Sequence, residues 1–138
     1  MDIDKLLNAL DNENNERLIN MNTNQIEQMK KDVLSELELE EETIQDYMKK
    51  LKEYIYIDEL NELKEGAYIR WIPLNNTEYS LTGGSIFCET LIKDDGIKLR
   101  CKNFSNKHFE ISMEDCIIFQ KLSAQEQVLL SALDYLSK

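Results

Sequence analysis

Ile97-Lys98-Leu99-Arg100-Cys101-Lys102 alternates strictly between apolar and basic residues. In an extended chain successive side chains point to opposite faces. Ile97, Leu99 and Cys101 therefore line one side, and Lys98, Arg100 and Lys102 the other. This reads as a half-buried strand with a cationic outer ladder, in a chain of 138 residues and formal net charge −11. The period of two extends both ways. Upstream, Asp94-Asp95-Gly96 is a tight hairpin turn, preceded by a strand over Ser85–Lys93 that Gly83-Gly84 opens with a bulge or sharp bend. Downstream, Asn103-Phe104-Ser105-Asn106 turns into a strand over Lys107–Met113, and Glu114-Asp115 leads to another over Cys116–Leu122. The earliest strand, Ala67–Leu74, carries Pro73 at its end or exposed edge, where a missing N–H does least harm.

Before Gly66 the period is helical. Ile3, Leu6, Leu7 and Leu10 share one face of a short helix behind Asp2. At that length the helix needs something to dock on, and its own domain is the simplest surface. A polar linker, Asp11–Asn15, follows. From Thr23, an Asn24/Glu27 capping box leads into Ile26, Met29, Val33 and Leu37. Glu40-Glu41-Glu42 interrupts that stripe, which resumes shifted as Ile44, Tyr47, Met48 and Leu51. A coiled coil would keep its seam, so two helices with a boundary near Leu39, or one long helix that changes face, fit better. Tyr54-Ile55-Tyr56-Ile57 is β-branched and aromatic, a helix end or a short strand. After the strands, Ser123 and Glu126 form a capping box. The last helix buries Val128, Leu129, Ala132, Leu133 and Leu136 on one face.

The expected fold class is α+β. Residues 1–22 form a flexible N-terminal segment, 23–65 an acidic helical region, 66–122 five strands and 123–138 a C-terminal helix. Gly66 to Leu122, with short strands and hairpin turns in quick succession, resembles an SH3-like small β-barrel of Tudor or Sm type. Gly66-Ala67-Tyr68-Ile69-Arg70-Trp71-Ile72 and Cys116-Ile117-Ile118-Phe119-Gln120-Lys121-Leu122 are also similar to small proteins of giant (nucleocytoplasmic large) DNA viruses. That resemblance implies a viral structural or accessory protein in host cytoplasm or virion, and no activity.

Charge divides the chain. Residues 1–65 carry 8 Lys/Arg against 18 Asp/Glu, and 66–122 carry 7 of each. An acidic protein repels nucleic acid and anionic membranes at long range, though a basic face still acts within a Debye length of about 10 Å. No apolar run is long enough to span a membrane, and Met1-Asp2-Ile3-Asp4 lacks the layout of a signal peptide. An intracellular, cytoplasmic location with no membrane partner is expected, and Cys88, Cys101 and Cys116, odd in number, fit free thiols there.

Chemistry has few candidates. Cys88, Cys101, His108 and Cys116 have the composition of a structural zinc site, but they are separated by 12, 6 and 7 residues with no Cys-x-x-Cys pair. Buried free cysteines explain them better, and no cofactor is expected. Any nucleophile would need His108, the one histidine, and no nucleophile elbow or phosphate loop is present. Trp71 and Tyr68 lie three apart on one strand, hence on opposite faces, which weakens an aromatic cage. An enzyme is not expected.

Two interaction surfaces remain. Ile26, Met29, Val33, Leu37, Ile44, Tyr47, Met48 and Leu51 give more apolar stripe than a small barrel can cover. This predicts a non-catalytic protein-interaction or assembly module, a homo-oligomer through its N-terminal helices or a binder of a protein partner. The alternative is a nucleic-acid-associated small barrel using Lys98, Arg100 and Lys102, extended by Lys107 and Arg70, with Tyr68, Trp71, Tyr79 and Phe104 as stacking aromatics.

Overall fold

The computed structural model describes residues 3–11, 18 and 21–136. The elements run α1 (Ile3–Asp11), α2 (Thr23–Ser35), α3 (Glu41–Lys50), β1 (Tyr54–Ile57), β2 (Tyr68–Pro73), β3 (Ser85–Lys93), β4 (Gly96–Lys102), β5 (His108–Ser112), β6 (Cys116–Lys121) and α4 (Ala124–Leu136). Single 3-10 turns occupy Leu60–Glu62 and Met113–Asp115. The class is α+β, as the change of period from 3.6 to two implies. Of the linker expected at Asp11–Asn15, Asp11 ends α1 and the rest lies outside the described residues.

Among the described residues, six strands form one antiparallel sheet in the order β1-β6-β2-β3-β4-β5. The expected five-stranded closed barrel is corrected on both counts. Tyr54–Ile57, ambiguous in sequence, is a sixth strand paired along β6 from Tyr54↔Lys121 to Ile57↔Ile118. The terminal strands β1 and β5 do not pair with each other, so the sheet is open. It is nevertheless rolled. In a flat sheet β2 and β5, three steps apart, would be separated by about 14 Å, yet the rings of Trp71 and Phe109 lie 5.8 Å apart.

Rolling gives the sheet two unlike faces. The concave face packs Ile55, Ile57, Ile69, Trp71, Phe87, Leu99, Cys101 and Ile118 against Ala9 of α1, Ile26 of α2, and Leu129 and Leu130 of α4. On the convex face, Tyr54, Ile72 and Phe119 meet Val33, Leu34, Ile44 and Leu51 of the helices. Alternation requires this: Trp71 and Ile72, like Ile118 and Phe119, are sequence neighbours on opposite faces. Strands β1, β6 and β2 are thus buried on both sides, while the convex side of β3, β4 and β5 is open.

Helices α2 and α3 form a hairpin. The chain turns through Glu36–Glu40 with Glu38 at φ +57°, and Glu41 and Glu42 stand at the positive end of the α3 dipole. The expected Asn24/Glu27 box forms two residues earlier, between Asn22 and Gln25. One local and one tertiary bond accompany that register. Glu27 is taken within the helix by Lys30 at 2.7 Å, and the backbone N–H of Thr23 donates to Asp134 Oδ1 of α4 at 2.9 Å. The Ser123/Glu126 box at the start of α4 forms as read.

Between β2 and β3 the chain returns close over β2. Gly84 sits at φ +93°, and a Cβ there would meet the Ile69 carbonyl at 2.5 Å, so only glycine fits. A bulge or a sharp bend is expected at this glycine pair; the register shift of the β3–β4 pairing comes four residues on, between Phe87 and Glu89, and the glycines serve the close turn over β2. Cys88 is the extra residue. It lets Phe87 face inward opposite Cys101 while Glu89 faces outward opposite Arg100.

Candidate functional site

The outer face of β3, β4 and β5 carries the cationic ladder in three cross-strand rows. Lys98 lies between Leu91 and Ser112, Arg100 between Glu89 and Glu110, and Lys102 between Ile86 and His108. Two rows are neutralised. Arg100 Nη1 meets Glu89 Oε1 at 3.2 Å, and Lys98 Nζ meets Asp95 Oδ2 at 3.4 Å. Glu110 holds Lys93 at 2.7 Å. These contacts join exposed or half-exposed groups and stabilise little, about 0–1 kcal/mol each. Their consequence is electrostatic: over most of the ladder, cation and carboxylate alternate.

The third row differs. Tyr68 of β2 continues it in register through Ile86 to Lys102 and His108. Arg70, two residues along β2, shares that face, and its Nε donates to the Thr82 carbonyl at 2.8 Å. The Tyr68 hydroxyl donates to the Gly83 carbonyl at 2.9 Å, which fixes the ring. Phe104, from the β4–β5 turn, stacks on it with centroids 5.9 Å apart and an interplanar angle of 28°. Phe104 is 84% exposed. Its turn is held from within: Asn103 Oδ1 accepts from the N–H groups of Ser105 and Lys107 at 2.9 and 3.1 Å. Of the four aromatics expected to stack on bases, Tyr68 and Phe104 belong here. Trp71 is core, and Tyr79 packs with the helical hairpin.

The helical stripe is covered by its own sheet. Ile26 joins the concave core, while Val33, Ile44 and Leu51 are buried in the convex one, with Leu37, Tyr47 and Met48 packed against them. Met29 is half-buried. Tyr47 also positions the β2–β3 loop, donating its hydroxyl to the Tyr79 carbonyl at 2.9 Å and accepting from the Leu81 N–H at 3.3 Å. The exposed apolar surface lies instead on the terminal helices. Leu6 and Ala9 of α1 face the core, and Ile3, Leu7 and Leu10 are 68, 52 and 41% exposed. Tyr135 and Leu136, at the end of α4, are 71 and 75% exposed.

Cys88, Cys101 and Cys116 are free thiols on strands. Among the described residues, no group of three or more His, Cys, Asp or Glu is placed to hold a metal ion, and no helix is long and apolar enough to cross a membrane. Burial, first, and then the neighbouring Cys88 and Cys116 push the Cys101 thiol up to about 12. Burial and then Asp115 push Cys116 up to about 11. Both thiols therefore stay protonated in the folded chain where the unfolded chain would ionise. The stability they contribute is whole below pH 9.0, the ordinary thiol value, and is lost as pH rises toward the folded values. The phenols of Tyr54 and Tyr56, raised chiefly by burial, act in the same direction above pH 10.0. The urea midpoint is expected to fall between about pH 9 and 11, and Cys101→Val to flatten part of that fall. An unchanged slope in the variant would show that Cys101 is not involved.

Comparison with protein-family models, with curated proteins and with solved structures finds no match to this chain.

Proposed function

We propose that the chain is a non-catalytic interaction and assembly module that self-associates through its terminal helices. The observation that carries this reading is the exposed stripe Ile3, Leu7 and Leu10 on α1, together with the exposed Tyr135 and Leu136 on α4, the helix that α1 contacts. A nine-residue helix with apolar side chains on two sides can bury only one of them against α4. A second copy is the occupant that fits. A two-fold contact is self-complementary, and α1 carries Asp4 and Asp11 against Lys5, a net charge of −1, so like charges oppose the approach far less than they would along Glu36–Glu42. Full burial of a large apolar side chain is worth about 1.5–3 kcal/mol. Five partly exposed ones exceed the cost of association by little, so the dimer is weak and concentration-dependent.

The non-catalytic reading is supported by the two strongly raised thiols, which are poor nucleophiles, and by the exposed position of His108 on β5. Free thiols also suit a reducing compartment. An SH3-like relationship is supported by strand order. Strands β2 to β5 form a meander, and β6 returns to β2 after a 3-10 turn, with β1 an addition at its edge. Nothing in the proposed function depends on a viral origin.

Light scattering behind size exclusion tests the assembly. The mass of the full chain is expected to rise from 16.2 kDa toward twice that value as concentration increases. Leu7→Glu should hold it at the monomer value. A mass fixed at 16.2 kDa up to millimolar concentration would sink the proposal.

A further inference from the structure

The geometry points to a second binding surface, independent of the helical contact: a single-stranded nucleic-acid site at the Tyr68–Phe104 stack. Three observations converge there. The first is an aromatic held out to solvent. Phe104 is 84% exposed on a turn that Asn103 locks and on a ring that Gly83 orients. A planar group stacking on Phe104 meets a surface already ordered, so little conformational entropy opposes it. The second is charge. The neighbouring rows of the ladder are closed by carboxylates. Among the described residues, Arg70, Lys102 and Lys107 make no ion pair. The third is register. Tyr68, Lys102 and His108 lie in one row across the sheet and Arg70 shares that open face, while Lys107 stands at the end of the turn that carries Phe104.

An aromatic platform with unpaired cations and donors beside it matches a base with its phosphates. Stacking is tolerant of base identity, because every base has a π-face. The chain's net charge of −11 does not forbid contact at this range, since a Debye length near 8 Å screens the acidic helices at physiological salt. It does limit affinity. Three cations on a single strand give a slope of log K against log salt of about −2.

Fluorescence anisotropy with short fluorescein-labelled oligouridylate and oligothymidylate, read against salt, is the test. Binding is expected at low salt with that slope. Phe104→Ala should weaken it about tenfold, and Lys102→Glu should abolish it. Lys49→Glu, which makes the same charge change on α3, should leave it within about twofold. These are surface positions, and unchanged circular dichroism would confirm that each variant is folded. The proposal is overturned if neither oligonucleotide binds, if Phe104→Ala binds as well as the parent, or if Lys49→Glu loses as much as Lys102→Glu. Binding of a glutamate-rich peptide in place of both oligonucleotides would also overturn it, and would identify the patch as a protein contact.

Discussion

Phe119→Ala is expected to destabilise the chain by about 3–5 kcal/mol. Phe119 is fully buried on the convex side of β6. It packs in the cluster of Leu34, Ile44, Leu51, Tyr54 and Ile72, with the Tyr56 ring 6.0 Å away and tilted by 56°. Truncation removes the transfer energy of the ring and leaves a cavity between two layers that cannot easily collapse. The strand is pinned on both sides by β1 and β2, whereas the helices above it are held to the rest of the fold by side-chain packing and a few side-chain bonds, among them Tyr47 to the Tyr79 carbonyl and Thr23 to Asp134. The helical hairpin should therefore lose protection from hydrogen exchange before the sheet does. Urea denaturation gives the size of the effect. Ile92→Ala, at a position 83% exposed on the β3–β4 hairpin, should cost close to nothing. A loss below about 1.5 kcal/mol for Phe119→Ala would mean that the hairpin does not cover this face in solution.

How much of this arrangement the residues announce depends on whether the signal is local. Strand β3 begins at Ser85 and ends at Lys93, and β4 ends at Lys102, where alternation and turn chemistry place them. The opposite faces of Tyr68 and Trp71 follow from spacing alone, and so does a helix boundary near Leu39. Closure does not. Whether Tyr54–Ile57 ends a helix or adds a strand depends on the free edge of β6, which lies more than sixty residues away in sequence. Nor does the capping register of α2, which a carboxylate on α4 helps to set.

The candidate surfaces divide in the same way. Lys98, Arg100 and Lys102 face outward as their alternation demands, but their neutralisation by Glu89 and Asp95 depends partly on the extra residue Cys88, which brings Glu89 opposite Arg100. A one-residue slip there would change the charge pattern of the face. The apolar stripe from Ile26 to Leu51 is legible as a stripe, and its partner is not. Counting apolar positions suggests a surplus on α2 and α3, whereas the convex face of β1, β6 and β2 takes up most of them and the concave core takes Ile26. The surplus falls on α1, whose spacing looks equally ready to dock. Phe104, one of the four aromatics expected to stack on bases, stands apart from the other three in sequence as a large aromatic between Asn103 and Ser105-Asn106, in a turn where small polar residues serve better.

Lys30 carried no signal at all, and its truncation is the second large effect expected. On a helix rich in Lys, Gln and Asn a lysine reads as solvated, yet this side chain is fully buried. Its Nζ donates to Glu27 Oε1 and to the Leu51 carbonyl, both at 2.7 Å, and so ties α2 to the end of α3. Lys30→Ala deletes a packed aliphatic stem, worth about 0.8 kcal/mol per methylene, together with a charge-assisted bond. A loss of about 3 kcal/mol is expected. Neither partner is stranded by the change. Glu27 is 37% exposed and can be hydrated, and the Leu51 carbonyl still accepts from the Tyr54 N–H at 2.9 Å. Lys30→Met keeps most of the stem and removes the charge. Because the cost of desolvating the ammonium offsets most of what its bonds return, Lys30→Met should lie within about 1 kcal/mol of the parent. Equal losses in the two variants would reverse this assignment: the ion pair, not the stem, would then hold the two helices together.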